Sequence, residues 1–245
     1  EIDSLFLKYP ALNKGLVERK WVEKEFSEVN PWTIKVADHC NLGCSYCYEN
    51  AMPVSKKMSS DTATRIIEEM LSLNQDYYEV LFHGGEPTLN LPIIRYFVTE
   101  INRRLPSSST VSFNMHSNLF HYPDEMRNEI KALGIRIGTS IDGIESIHDQ
   151  QRIRIGKRDG SYKKVRANLE NSEVKNVILT ITRNNQSALL QAAKHFVEDL
   201  HLDKFHFLPL MPHGRANVQS LLPDLDVMLS EMLLVFDYIL ELFSQ

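Results

Sequence analysis

The chain contains three cysteines, Cys40, Cys44 and Cys47, all inside the run HCNLGCSYCYE. Their spacing is C-x3-C-x2-C. An odd, tightly clustered set makes a poor disulfide framework. It suits a metal or cluster site in a reducing compartment. Three thiolates on one short loop can wrap a cuboidal [4Fe–4S] cluster and ligate all but one of its irons, leaving a coordination place open. Most electron-carrying clusters are held by a full set of cysteines and have no such vacancy. Gly43 eases the tight turn that this wrapping needs. Structural zinc is the competing reading, with His39 or a distant histidine completing a Cys3His set. Zinc sites usually pair one C-x2-C with a second pair, and the chain has no second pair.

Other residues of the right type recur at intervals. His83, Gly84, Gly85, Glu86 and Pro87 form a run in which the glycines would admit a close backbone approach and the carboxylate would attract a cation. Taken alone, such a run also fits a plain surface turn. Ser140 and Asp142 pair a hydroxyl with a carboxylate. Arg152 can clamp a carboxylate in bidentate fashion, or it can be a solvated arginine in the basic loop with Arg154, Lys157 and Arg158. Asn118 can serve a ligand or simply satisfy a turn. His83, His116, His206 and His213 are suited to proton transfer near neutral pH. Tyr78 and Tyr122 carry no stronger signal than any one of these histidines, and no general base is assigned.

Regular elements must position these groups. Strand patterns are expected at residues 32–37, 78–82, 110–115, 135–141, 177–182 and 204–210. Helical patterns are expected at 59–74 (capped by Ser60 or Asp61), 91–105, 123–133, 161–171, 186–200 and 224–243. Alternation of this kind predicts an α/β fold with a parallel sheet and helices packed outside. An open doubly wound sheet and a partial (β/α) barrel both fit. In either, ligands gather at the carboxyl ends of the strands, which is where the candidate residues fall. The expected organisation is a helical lead-in over 1–30, a core over 31–217, and a C-terminal helix over 218–245 that could begin a further extension.

Composition sets outer bounds. The chain has 245 residues, 43% hydrophobic and 24% charged, as expected of a globular chain able to bury a core. A net charge of −5 gives no reason to expect nucleic acid. No apolar run approaches a membrane span, and no signal peptide is visible, so a cytoplasmic location is expected.

The cysteine triplet with Tyr46, followed by Gly84-Gly85-Glu86-Pro87 at the end of the second strand, resembles the signature of the radical S-adenosylmethionine (SAM) superfamily. Ser140, Asp142 and Gly143, with His148, Asp149 and Arg152, are similar to the pattern of its peptide and protein maturases, including anaerobic sulfatase-maturating enzymes. Gly160, Ser161 and Tyr162 fit that branch as well, and Asn185 and Pro212 to Ala216 are reminiscent of it. Where the family often has T-N-G, this chain has Ser117, Asn118 and Leu119. Cysteines of the C-terminal SPASM or twitch extensions, which hold auxiliary clusters, are absent from this sequence.

The resemblance implies a partial (β/α)6 barrel. It implies a [4Fe–4S] cluster on Cys40, Cys44 and Cys47, and SAM bound through the open iron. Cofactor contacts are implied for Tyr46, Gly84, Gly85, Glu86, Asn118, Ser140, Asp142, Arg152 and Met211. Within that set Gly84, Gly85 and Glu86 would face the amino end of SAM. Ser140, Asp142 and Arg152 would face its carboxylate or ribose, and Asn118 the ribose. Tyr46, Met211 and Leu208 would border the adenine, although Leu208 fits the core better. Implied partners are a peptide or protein substrate and an electron donor such as a flavodoxin or ferredoxin. The implied activity is hydrogen abstraction from a ribosomally made precursor peptide, with crosslinking, epimerisation or oxidation as outcomes. Alternatives are a sulfatase-type formylglycine maturase, a small-molecule radical SAM enzyme and, from another class, a zinc-stabilised interaction module.

Overall fold

The computed structural model describes residues 31–49, 56–157, 159–214 and 219–244. The expected lead-in helices, Arg158, and the stretch from Arg215 to Ala216 lie outside the described residues. Residues 32–245 form one compact unit.

Six strands make one sheet: β1 (Trp32–Ala37), β2 (Tyr77–Gly84), β3 (Thr110–His116), β4 (Ile135–Ser140), β5 (Asn176–Ile181) and β6 (Lys204–Pro209). Every neighbouring pair is parallel, and the spatial order is the chain order, β1 to β6. That order decides between the two expected architectures. A doubly wound sheet needs a point where the strand order reverses. Here none exists, so right-handed crossovers put every helix on the same side. The sheet curls as a barrel wall and does not close, since β1 and β6 each pair on one side only among the described residues.

Helices α1 (Ser60–Ser72), α2 (Leu91–Arg104), α3 (Asp124–Ala132), α4 (Glu145–Gln151), α5 (Tyr162–Glu170) and α6 (Leu189–Lys194) lie between the strands, and α7 (Leu225–Phe243) follows them. Side chains alternate across a strand, and one set packs under the helices. Ile34, Val36, Val80, Phe82, Phe113, Met115, Val177, Leu179 and Ile181 are buried there against residues such as Ile67, Met70, Ile94, Phe97 and Phe196. The opposite set is mostly polar and lines a cavity of about 1810 Å³. A parallel sheet with both faces in a dry core would be apolar throughout; this one has one face reserved.

Several boundaries differ from expectation. The cap of α1 is Ser59, whose Oγ accepts from the Thr62 amide at 3.2 Å, not Ser60 or Asp61. Strands β2 and β3 run on through His83–Gly84 and His116, because those residues continue the parallel ladder. Helix α4 was not expected at all. The expected helix over 186–200 starts at Leu189 and passes into a π turn at His195–Asp199. Helix α7 packs on the α6 region, where the Leu190 amide donates to Glu231 and the Tyr238 hydroxyl to Glu198.

Candidate active site

The site is built on two turns fastened to each other. The cysteine loop leaves β1 at Ala37, and the Gly84–Glu86 turn ends β2. The Gly85 amide donates to the Ala37 carbonyl at 2.9 Å, and the Glu86 amide to the His39 carbonyl at 2.8 Å. Both glycines are required by that approach. A Cβ on Gly84 would stand 2.2 Å from the Ala37 oxygen, and its φ is +130°; a Cβ on Gly85 would stand 2.2 Å from the His39 oxygen. The other side of the loop is held by the end of α4 and the segment after it. Gly43 donates to the Ile153 carbonyl at 2.7 Å, and Ser45 to the Gln151 carbonyl at 2.9 Å.

Within this clamp the thiols form no disulfide. Cys40 Sγ accepts from the Leu42 amide and from Asn118 Nδ2, both at 3.4 Å. Burial pushes the Cys40 thiol up to about 12 and also raises Cys44. Among the described residues no three His, Cys, Asp or Glu side chains converge closely enough to hold a single metal ion. A cuboidal cluster asks for something else, one thiolate per iron at separate corners, and a loop presenting three cysteines with sulfur-directed N–H donors supplies that donor set.

Glu86 is 1% exposed and its carboxylate is filled. Oε1 accepts from the Thr88 amide (3.2 Å), Thr88 Oγ1 (2.7 Å) and Ser117 Oγ (2.8 Å), and Oε2 from the Asn118 amide (2.8 Å). Burial raises its pKa, and these donors pull it back. The expected open counter-ion is thus a tie between the ends of β2 and β3. Asn118 is held in turn by Asn41 Oδ1 at 2.7 Å, and its own Oδ1 accepts from Phe120. At the position where the family has glycine, Leu119 takes φ +53°.

Arg152 is no surface arginine. It is 7% exposed and donates from Nη1 to the Tyr46 hydroxyl at 2.6 Å, while Tyr46 donates to Asp142 Oδ2 at 2.7 Å. Arg152 Nη1 stands 3.9 Å from Asp142 Oδ1. Tyr46 therefore presents its hydroxyl to an ion pair. Burial pushes the Asp142 carboxyl up, and Arg152 counters it. Arg152 Nε and Asp142 Oδ1 are buried with no hydrogen-bond partner among the described residues.

Ser140, His83 and His116 line the same cavity. His116 Nε2 meets Ser140 Oγ at 2.7 Å, and its ring stacks on His83 at 6.0 Å. Burial, with His83 and Arg152 adding to it, lowers His116 to about 3, so it is neutral. Tyr48 reaches the His83 ring at 3.2 Å. Met211 and Leu208 also border the cavity but are 71% and 49% exposed, so Leu208 is not core. Tyr78 and Tyr122 are buried in the main core, and His206 is exposed on β6.

A family model described as the radical SAM superfamily matches residues 34–194. The chain belongs to the radical SAM superfamily. Enzymes of this superfamily use a [4Fe–4S] cluster and SAM, so both are its cofactors and it is a radical SAM enzyme. A cysteine-type anaerobic sulfatase-maturating enzyme of Clostridium novyi is 24% identical over 186 residues, covering 72% of this chain and 49% of the relative. The solved structure of anSMEcpe with bound AdoMet and Cp18Cys peptide has a TM-score of 0.65 at 18% identity, covering 74% of this chain and 52% of that one. Streptococcus suis SuiB bound to precursor peptide SuiA gives 0.61 at 14%, covering 88% and 47%. This chain thus spans about half the length of the proteins it matches. Among the described residues, no helix is long and apolar enough to cross a membrane.

Proposed function

We propose that this radical SAM enzyme abstracts hydrogen from a peptide or protein substrate held in the open barrel, with Cys40, Cys44 and Cys47 as the cluster ligands. The carrying observation is the loop itself: three cysteines on a turn hydrogen-bonded on one side to Gly85 and Glu86 and on the other to residues 151–153. When bound, the cluster and SAM supply reductive cleavage of a carbon–sulfur bond and a 5′-deoxyadenosyl radical. The chain's residues bind, orient and exclude water. Backbone groups of Gly84 and Gly85 would receive the amino end of SAM, with Glu86 fixing the turn. Ser140 and the Tyr46–Asp142–Arg152 group would hold the carboxylate and ribose side. Tyr46 and Arg152 line the cavity, and Asp142, fully buried behind them, holds both in place. Asn118 would reach the ribose, and Met211 would flank the adenine. A flavodoxin or ferredoxin would donate the electron.

The peptide assignment is supported by the sheet's open edge, by the size of the cavity, and by the peptides bound in the two similar structures. The test is to incubate reduced enzyme and SAM with deuterated candidate precursor peptides from neighbouring genes. Deuterium in 5′-deoxyadenosine with a mass change in the peptide is the expected result. Transfer from a free metabolite and from no peptide would move the assignment to a small-molecule radical enzyme.

A further inference from the structure

The cavity wall has a gap in its middle. Gly138 lies on β4 between Ser140 and Arg136, facing the cavity with both. Gly84 and Gly85 are glycines because a side chain would collide with backbone. Gly138 is under no such demand: a Cβ there would meet His116 Nδ1 at 3.5 Å and Asn176 Nδ2 at 4.0 Å, ordinary contact distances. Its lack of a side chain leaves a notch between those two groups.

The walls of the notch are polar. Asn176 opens β5 beside Gly138 and has its Nδ2, a donor, 4.0 Å from where a Cβ on Gly138 would stand. His116 has Nε2 engaged by Ser140 and turns Nδ1 toward the notch. When the Ser140 hydroxyl donates to Nε2, Nδ1 carries the proton and is a donor. Burial keeps that ring neutral. Arg136 lies two residues down the strand, roughly 7 Å away along β4. It is exposed to the cavity, and among the described residues no carboxylate lies within ion-pair distance of it. The nearby acids are engaged elsewhere: Glu79 accepts from Asn114 Nδ2 at 3.0 Å, and Glu173 pairs with Lys131. Asp203 also lines this end of the cavity, beside Lys204, which the sheet register sets opposite Asn176.

We propose that the notch over Gly138 is a specificity subsite for an acidic residue of the substrate peptide, its carboxylate held by Arg136 with Asn176 and His116 as flanking donors. The proposal rests on the cavity being the peptide site. It differs from cofactor binding, which uses the strand ends one layer above. A planar guanidinium with neutral donors beside it matches a carboxylate, and a charge-assisted bond favours it over the uncharged isostere. A side chain at position 138 would fill the space the acid needs.

The test uses the cluster-loaded, SAM-bound enzyme and an immobilised octapeptide library with each position scanned, reading binding without turnover. The wild-type protein should enrich Asp or Glu at one position. Arg136→Gln should lose that enrichment by about tenfold or more. Arg136→Glu should convert the preference to Lys or Arg, which no structural role of Arg136 predicts. Gly138→Leu should lose the acidic preference while retaining a wild-type thermal midpoint. Peptide binding with an apolar or basic preference, or an acidic preference unchanged in Arg136→Gln, would overturn the subsite while leaving the peptide reading intact. Failure to bind any peptide, in enzyme that still binds SAM, would overturn the peptide reading and the subsite with it.

Discussion

The amide of Glu86 donates to the carbonyl of His39 at 2.8 Å, joining the turn after β2 to the residue before Cys40. The turn implied to receive SAM and the loop implied to hold the cluster are therefore one mechanical unit. The glycines of the turn serve the cysteine loop as directly as they serve any ligand.

Gly85→Val consequently damages more than SAM binding. Its Cβ would lie 2.2 Å from the His39 oxygen, and backbone cannot move aside cheaply. The variant should lose cluster content as well as SAM cleavage, measured as iron per chain after anaerobic reconstitution. Full iron with only SAM binding lost would show that the loop tolerates the displacement.

Arg152→Met removes one partner of a buried pair and leaves the Asp142 carboxylate without its counter-charge, while the Tyr46 hydroxyl keeps its bond to Asp142. The expected cost is about 3–5 kcal/mol, a fall in thermal midpoint on the order of 10 °C for a chain of this size. The double variant Arg152→Met with Asp142→Leu should recover part of that loss, because the uncompensated acid is gone. A single variant as stable as the parent would mean that the pair carries no weight.

Leu119 sets two effects against each other. Its left-handed backbone costs roughly 1–2 kcal/mol, which Leu119→Gly would relieve. Its side chain is fully buried, and deleting a buried leucine costs about 2–5 kcal/mol even when alanine remains. Burial wins, so Leu119→Gly should lower stability in denaturant titrations. A stabilised variant would mean that strain dominates.

The buried histidines make stability depend on pH. Burial lowers His83, His116 and His148 below 6.5, His116 to about 3. Below pH 6.5 the unfolded chain binds protons that the folded chain refuses, so stability is full above 6.5 and drains as pH falls toward 3. Thermal midpoints of the cluster-free chain should drop between about pH 8 and about pH 5. His116→Asn should show a shallower drop, and a slope equal to the parent's would contradict the assignment of His116 as neutral.

Much of this was legible in the sequence, for identifiable reasons. Strands such as Trp32–Ala37 announce themselves by alternation, since Ile34 and Val36 go under the helices. The cysteines announce a site by type and spacing. What escaped had no side-chain pattern to read. Helix α4, ESIHDQQ, buries only His148 and Gln151, so it shows no apolar stripe. Arg152 sits beside Arg154 and Lys157 in sequence, yet the fold turns it inward to Tyr46. Leu208 looks like core by type, but β6 is an edge strand and turns it to the cavity. Glu86 reads as an acidic turn tip, and its donors come from Thr88, Ser117 and Asn118, two of which lie on a different strand's end. The fastening of the two turns uses backbone carbonyls, which leave no mark in composition.

The central claim is that Cys40, Cys44 and Cys47 hold the cluster that, with SAM, starts the chemistry. Its most direct test compares the anaerobically reconstituted protein with the Cys40→Ala, Cys44→Ala, Cys47→Ala triple variant, counting iron and 5′-deoxyadenosine formed from SAM and dithionite. The parent should hold about four irons per chain and release 5′-deoxyadenosine, and the variant should do neither. A parent that holds zinc and no iron, or a variant that keeps its iron and still cleaves SAM, would contradict it.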